Sequence, residues 1–148
     1  MRGIILVKVR GFEIPKHLYY DVKNHIWVGL VNKDIVKLGL DDVGQFLAKK
    51  ILFIRIKPAG SKVKKGSPVA MLESAKWVGP VISPVTGTVI EINDKLRRKP
   101  SLINDDPYGD GWIAKIKLEK PEELKELVTG EEALKKQEED IIERGISR

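Results

Sequence analysis

The sequence predicts a mainly β fold: a small, strongly bent sheet structure with flanking short helices and a helical C-terminal tail. Three observations carry this. From Ile51 to Leu118, short apolar runs recur with Pro and Gly punctuation between them. These runs stand too close together for crossover helices joining parallel strands. Beyond Pro121 the punctuation thins and the apolar spacing becomes helical.

The elements follow in order. Residues 4–9 predict a short strand, Gly11 to Lys16 a loop containing Pro15, and Trp27 to Val31 a second strand with Asn32-Lys33-Asp34 as its turn. Asp41 to Lys50 predicts a short helix, with Asp41 as N-cap and Val43, Phe46 and Leu47 on one face. Ile51 to Ile56 is a strand ending at Pro58-Ala59-Gly60. Lys65-Gly66 is a turn, Pro68 to Glu73 a strand, and Gly79-Pro80 a break. Thr88 to Ile92 is the next strand, after Pro84 and Gly87. Ile113 to Leu118 alternates apolar and basic residues, as a half-buried strand does. Pro121 suits a first helical turn, with Leu124, Leu127 and Val128 as its stripe. Thr129 with Glu132 forms a capping box for a second helix, whose sparse apolar positions are Ala133, Leu134, Ile141 and Ile142.

The chain has 148 residues, 42% hydrophobic and 32% charged, which is enough for one packed core. It has no cysteine, which excludes disulfides, thiolate zinc, iron–sulfur ligation and a cysteine nucleophile. His17 and His25 alone make no metal site, and no metal is expected. The opening apolar run is broken by Lys8 and Arg10, and no run is long enough to span a membrane. The expectation is a cytoplasmic monomer without membrane contact.

The net charge is +6. Glu119 to Arg148 holds ten acids against six bases, so the preceding 118 residues hold 21 bases against 11 acids. Lys49 to Lys65 has seven bases and no acid. Such a field attracts phosphate, but Phe53 is the only ring within that run. A solvated or protein-docking surface is therefore preferred; nucleic acid is not an expected partner, and a basic nucleic-acid-binding module is kept as a remote alternative. No catalytic residue is assigned: Ser74 and Ser83 lack a nucleophile motif, and neither histidine has an evident acid partner in sequence. Tyr108-Gly109-Asp110-Gly111-Trp112 reads as a tight loop, not a dinucleotide fingerprint.

The informative segment is Gly66 to Ile92, where Glu73-Ser74-Ala75-Lys76-Trp77 separates two strands. Lys76 then sits at a hairpin tip. It reads either as an ordinary exposed turn lysine or as an amine that is acylated, which removes its charge and makes it a tether.

Several motifs carry a family resemblance. They are Pro15-Lys16-His17-Leu18-Tyr19-Tyr20, His25-x-Trp27-Val28, Glu73-Ser74-x-Lys76, Ser83 to Asn93, and Leu102-Ile103-Asn104-x-Asp106-Pro107-Tyr108-Gly109-x-Gly111-Trp112. In this order and spacing the chain resembles the H-protein of the glycine cleavage system over roughly residues 15–128. The resemblance implies a barrel-sandwich hybrid of the lipoyl/biotinyl-carrier type. It divides the chain into an N-terminal strand or extension (1–14), the H-protein-like lipoyl domain (15–128) and a C-terminal helical extension (129–148). It further implies lipoate in amide linkage to Lys76, with Glu73 and Gly87 recognised by the lipoylating enzyme. Biotin carriers flank their lysine with methionines, whereas Ala75 and Trp77 stand here. The role implied is a non-enzymatic swinging-arm carrier. Its partners would be lipoate-protein ligase or lipoyl-assembly enzymes, and glycine decarboxylase, aminomethyltransferase and dihydrolipoamide dehydrogenase.

Departures cluster around the expected arm cleft, whose candidates are Asn24, Ile26, Leu47, Trp77 and Pro80. The family commonly writes His-Glu-Trp where Ile26 stands, a histidine in some members where Leu47 stands, and Ala-x-Ser-Asp where Trp77-Val78-Gly79-Pro80 stands. A cationic aminomethyl cargo needs polar or acidic partners there. The Lys-Trp-Val-Gly-Pro run is similar to that of H-protein-related lipoate-binding proteins serving a heterodisulfide-reductase-like complex in sulfur oxidation. The sequence favours that branch, with the aminomethyl carrier as the alternative.

Overall fold

The computed structural model describes residues 7–148. In chain order the strands are β1 (Lys8–Val9), β2 (Phe12–Glu13), β3 (Tyr19–Asp21), β4 (Ile26–Leu30), β5 (Ile35–Leu40), β6 (Ile51–Ile56), β7 (Lys62–Val63), β8 (Pro68–Ser74), β9 (Val78–Ile82), β10 (Gly87–Ile92), β11 (Ala114–Leu118) and β12 (Val128–Thr129). The α-helices are α1 (Asp42–Ala48), α2 (Lys95–Arg98), α3 (Leu102–Asp105) and α4 (Gly130–Arg144), with a 3-10 helix over Pro121–Glu126.

A seven-stranded sheet runs β12-β3-β4-β5-β11-β10-β7, and its strand pairs are antiparallel. A three-stranded sheet, β6-β8-β9, closes over one face. Strand alternation splits the apolar residues between two cores. Ile26, Val28, Val36, Leu38, Val69, Leu72 and Ile116 fill the space shared with the small sheet. Trp27, pointing the other way from β4, joins Phe12, Ile14, Tyr20 and Val43, and α4 covers them with Ala133 and Ile141.

Gly87 begins β10 where it meets β11. A Cβ there would lie 2.1 Å from the backbone oxygen of Lys117, and strand backbone, unlike a side chain, cannot swing aside. Gly87→Ala is therefore expected to lower the melting midpoint by several degrees, roughly 1–3 kcal/mol. Calorimetry checks this; an unchanged midpoint would show that the two strands separate freely.

Several sequence expectations hold. The helix is capped by Asp41, whose Oδ1 accepts from the Gly44 amide at 2.8 Å. Ile51–Ile56 is a strand with the expected bounds.

Others are corrected. Of the strand expected over residues 4–9, positions 4–6 lie outside the described residues, and only Lys8–Val9 pair. The loop expected from Gly11 contains β2, because Arg10 and Gly11 both take positive φ (51° and 89°) and turn the chain back antiparallel. Gly79-Pro80 is no break: both lie inside β9, an edge strand, where a missing N–H is tolerated. The first tail helix is a 3-10 helix that stops at Glu126, after which Val128–Thr129 pairs with β3. The capping box does not form: the Thr129 hydroxyl donates to the Leu18 carbonyl at 2.7 Å instead of accepting at the helix start.

Candidate functional site

The β8–β9 hairpin presents Lys76. Register pairs Glu73 with Val78, the Ser74 amide donates to the Trp77 carbonyl at 2.8 Å, and Ala75-Lys76 form the tip. Lys76 is exposed. Trp77 folds back over the backbone of Gly79, where a Cβ would lie 2.1 Å from the indole; Gly79 leaves the space the ring occupies.

Behind the tip is a cleft of about 510 Å³. Its apolar walls are Leu40, Leu47 and Ala48 from the α1 side and Leu72, Pro80 and Ile82 from the small sheet. Its charged members are Lys23, Lys49, Lys76 and Arg144, with Asn24 and His25 alongside; no carboxylate lines it.

Of the arm-cleft residues expected from sequence, Asn24, Leu47, Trp77 and Pro80 line this cleft together with Lys76. Ile26 does not. Alternation along β4 turns it into the sandwich core, 1% exposed and paired across the sheet with Leu40. Glu73 is exposed on β8 three residues before Lys76, and Gly87 stands on β10 in the other sheet.

Among the cleft members that sequence reasoning missed are its three other cations, Lys23, Lys49 and Arg144. Sequence reasoning also missed the cluster that sets one of them. His25 is buried with φ 55°. Its Nδ1 lies 3.0 Å from Asp41 Oδ2 and its Nε2 2.6 Å from Asp140 Oδ2. Gln137 donates to Asp41 at 2.8 Å, and Arg144 Nε donates to Asp140 Oδ2 at 2.8 Å. Burial alone would pull the His25 pKa down; the carboxylates of Asp41 and Asp140 reverse that, leaving it above the ordinary 6.5. Burial likewise pushes the Tyr108 hydroxyl up, and Asp41 adds to it. Tyr108 stays neutral, donating to the Glu13 carbonyl and accepting from the Asp42 amide. The partners of His25 lie 16 and 115 residues away, so no local motif signals them.

Asp106 closes its own loop, its Oδ2 accepting the Asp110 amide at 2.8 Å. Among the described residues, no helix is long and apolar enough to cross a membrane.

Residues 18–140 match the family model described as Glycine cleavage H-protein. The chain belongs to the glycine cleavage H-protein family. It is 55% identical over 133 residues to "Glycine cleavage system H protein 2" of Aquifex aeolicus, covering 89% of this chain and 83% of that one. It is 50% identical over 131 residues to "Probable glycine cleavage system H protein 2" of Sulfolobus acidocaldarius, covering 87% and 88%. A glycine cleavage system H protein from Mycobacterium marinum shares the fold, with a TM-score of 0.74 at 24% identity over 90% of this chain and all of that one. The fold is thus the barrel-sandwich hybrid of lipoyl carriers. H-proteins carry lipoate covalently on a lysine and act as carriers rather than catalysts. They work with glycine decarboxylase, aminomethyltransferase and dihydrolipoamide dehydrogenase.

The site fits that group. A hairpin tip gives a modifying enzyme access to the amine. The apolar walls behind it suit an aliphatic chain with a dithiolane, and the cleft volume lies in the range of small-ligand sites.

Proposed function

We propose that this chain is a lipoyl carrier with lipoate in amide linkage to Lys76, shuttling an aminomethyl group between enzymes of the glycine cleavage system. The supporting observation is the exposed Lys76 tip set against its own apolar-walled cleft. When bound, the dithiolane supplies disulfide exchange and a sulfur that carries cargo. The residues do the rest. The β8–β9 hairpin holds the Lys76 Cα at the rim, while Leu47, Leu72 and Pro80 exclude water from the wall. Tethering raises the local concentration of the reactive sulfur at each partner. Residues 15–128 form the carrier domain in this reading, with 1–14 and 129–148 as extensions.

The sequence favoured the sulfur-oxidation branch; the names of the matched relatives support the glycine cleavage reading instead. One observation favours the second reading, a sulfur cargo passed to a heterodisulfide-reductase-like partner. The cleft offers Lys23, Lys49 and Arg144 but no carboxylate to an ammonium group.

Intact mass and peptide mapping across Met71–Val81 test the carrier role in natively produced protein, with a lipoyl adduct on Lys76 expected. Bare Lys76, alongside other lipoylated proteins of the same cells, would overturn it. Glycine with glycine decarboxylase is then expected to load the arm. Failure to load, while a control H-protein loads, would leave the sulfur cargo in its place.

Glu73 is expected to guide the lipoylating enzyme. Glu73→Ala removes an exposed carboxylate, so melting stays within about 0.5 kcal/mol of the parent. Loss of a charge-assisted contact slows lipoylation roughly tenfold or more. Equal rates with a ligase would remove Glu73 from recognition. Gly87 variants cannot serve this purpose, because strand packing alone demands glycine there.

A further inference from the structure

Arg144 reaches the cleft with both terminal Nη groups of its guanidinium uncommitted. Its Nε donates to Asp140 Oδ2 at 2.8 Å, and the same oxygen lies 2.6 Å from His25 Nε2. Asp140 is thereby fixed from two sides, and it borders the neighbouring cavity, not this one. The Nη1 and Nη2 groups of Arg144 have no protein acceptor among the described residues, yet Arg144 lines the cleft beside Lys76. The other charged or titratable groups facing the cleft are Lys23 from the turn after β3, His25 at the start of β4, Lys49 at the end of α1, and Lys76 itself. The Lys49 ammonium sits over the Phe46 ring, 4.6 Å from its centroid. Acylation would neutralise Lys76 and leave the others in place.

A guanidinium with both Nη groups free, in a cleft with cationic neighbours and apolar walls, is a receptor for an anion. The anion a lipoyl arm offers is a thiolate. We propose that the cleft holds the reduced arm as a thiolate, with the free Nη face of Arg144 donating to the sulfur and Lys23 and Lys49 supplying the surrounding field. This rests on lipoate at Lys76. The dithiol is a product of the proposed carrier role: decarboxylation of glycine supplies the two electrons that open the disulfide, transfer of the aminomethyl group frees the second sulfur, and one of the two thiols gives its proton to water. Because the thiolate is the nucleophile in exchange, the cleft keeps the reduced arm reactive at neutral pH and ready for reoxidation.

The test uses full-length lipoylated protein, reduced with a phosphine and alkylated with iodoacetamide across a pH series, read by intact mass. Free dihydrolipoamide is the reference. The midpoint for alkylation is expected about one unit below the reference. It should drift back towards the reference in high salt. Arg144→Gln is expected to raise it by about one unit, because it removes the cation and unmasks Asp140; Arg144→Lys should keep most of the shift. Lys23→Gln, at an exposed turn residue outside α4, should move it the same way by less. That variant keeps the test alive if Arg144→Gln loosens the helix. An adduct on Lys76 with a midpoint equal to the reference, unmoved by these variants, would overturn the thiolate site. Absence of any adduct would instead overturn the carrier reading.

Discussion

Lys76→Arg is expected to abolish the lipoyl adduct completely while leaving the melting midpoint within a degree or two of the parent. Arginine keeps the charge and much of the stem, but its guanidinium is not a usable acyl acceptor at neutral pH. Lys76 is exposed at a two-residue tip, and the hairpin is held by backbone pairing between Ser74 and Trp77 and between Glu73 and Val78. Nothing in that pairing depends on the lysine side chain, so the fold does not respond. The measurement is intact mass after incubation with a lipoylating enzyme, beside a melting curve. A residual adduct in the variant would move the attachment point to another lysine. Lys49 and Lys23, which line the same cleft, would be the first to map.

The fold was legible where local chemistry decides. Ile51–Ile56 is an apolar run bounded by a helix end and Pro58, and Asp41 is a short acid ahead of an apolar stripe; both became what their sequence says. It was illegible where distant chain decides. Pro80 breaks a central strand but not an edge strand, and edge status belongs to the assembled sheet. Thr129 has a capping partner in Glu132, yet Leu18, 111 residues away, offers its hydroxyl a carbonyl. The site divides the same way. The Lys76 tip follows from a strand–turn–strand pattern. Ile26 follows strand alternation into the core, whereas family resemblance alone would have put it in the cleft. Arg144 reaches the cleft only because α4 docks on the body through Ala133, Gln137 and Ile141.

That docking brings the second large effect. Asp41→Ala is expected to destabilise the protein by about 3–5 kcal/mol, lowering the melting midpoint by roughly 10 °C or more. Asp41 is fully buried and holds three elements at once: the Gly44 amide of α1, Nδ1 of His25, and the Gln137 amide of α4. Removing it orphans all three donors. The same cluster predicts a pH dependence. His25 has a folded pKa raised above 6.5, because Asp41 and Asp140 outweigh the opposing effect of burial. The native state therefore binds this proton more tightly than the unfolded chain. The associated stabilisation is complete below about pH 6.5 and is lost as pH rises through the folded pKa. The geometry says why. A neutral imidazole has one N–H and cannot donate to carboxylates on both sides, so deprotonation sets a lone pair against one of them. On the Nε2 side that carboxylate is Asp140, which positions Arg144. The melting midpoint is expected to fall as pH climbs above 6.5, and His25→Gln is expected to flatten that slope. Parallel profiles for the two proteins would show that His25 is already neutral in the native state. The body would then hold α4 through one His25 hydrogen bond, Gln137, the Arg10–Glu138 and Lys16–Glu131 pairs, and packing.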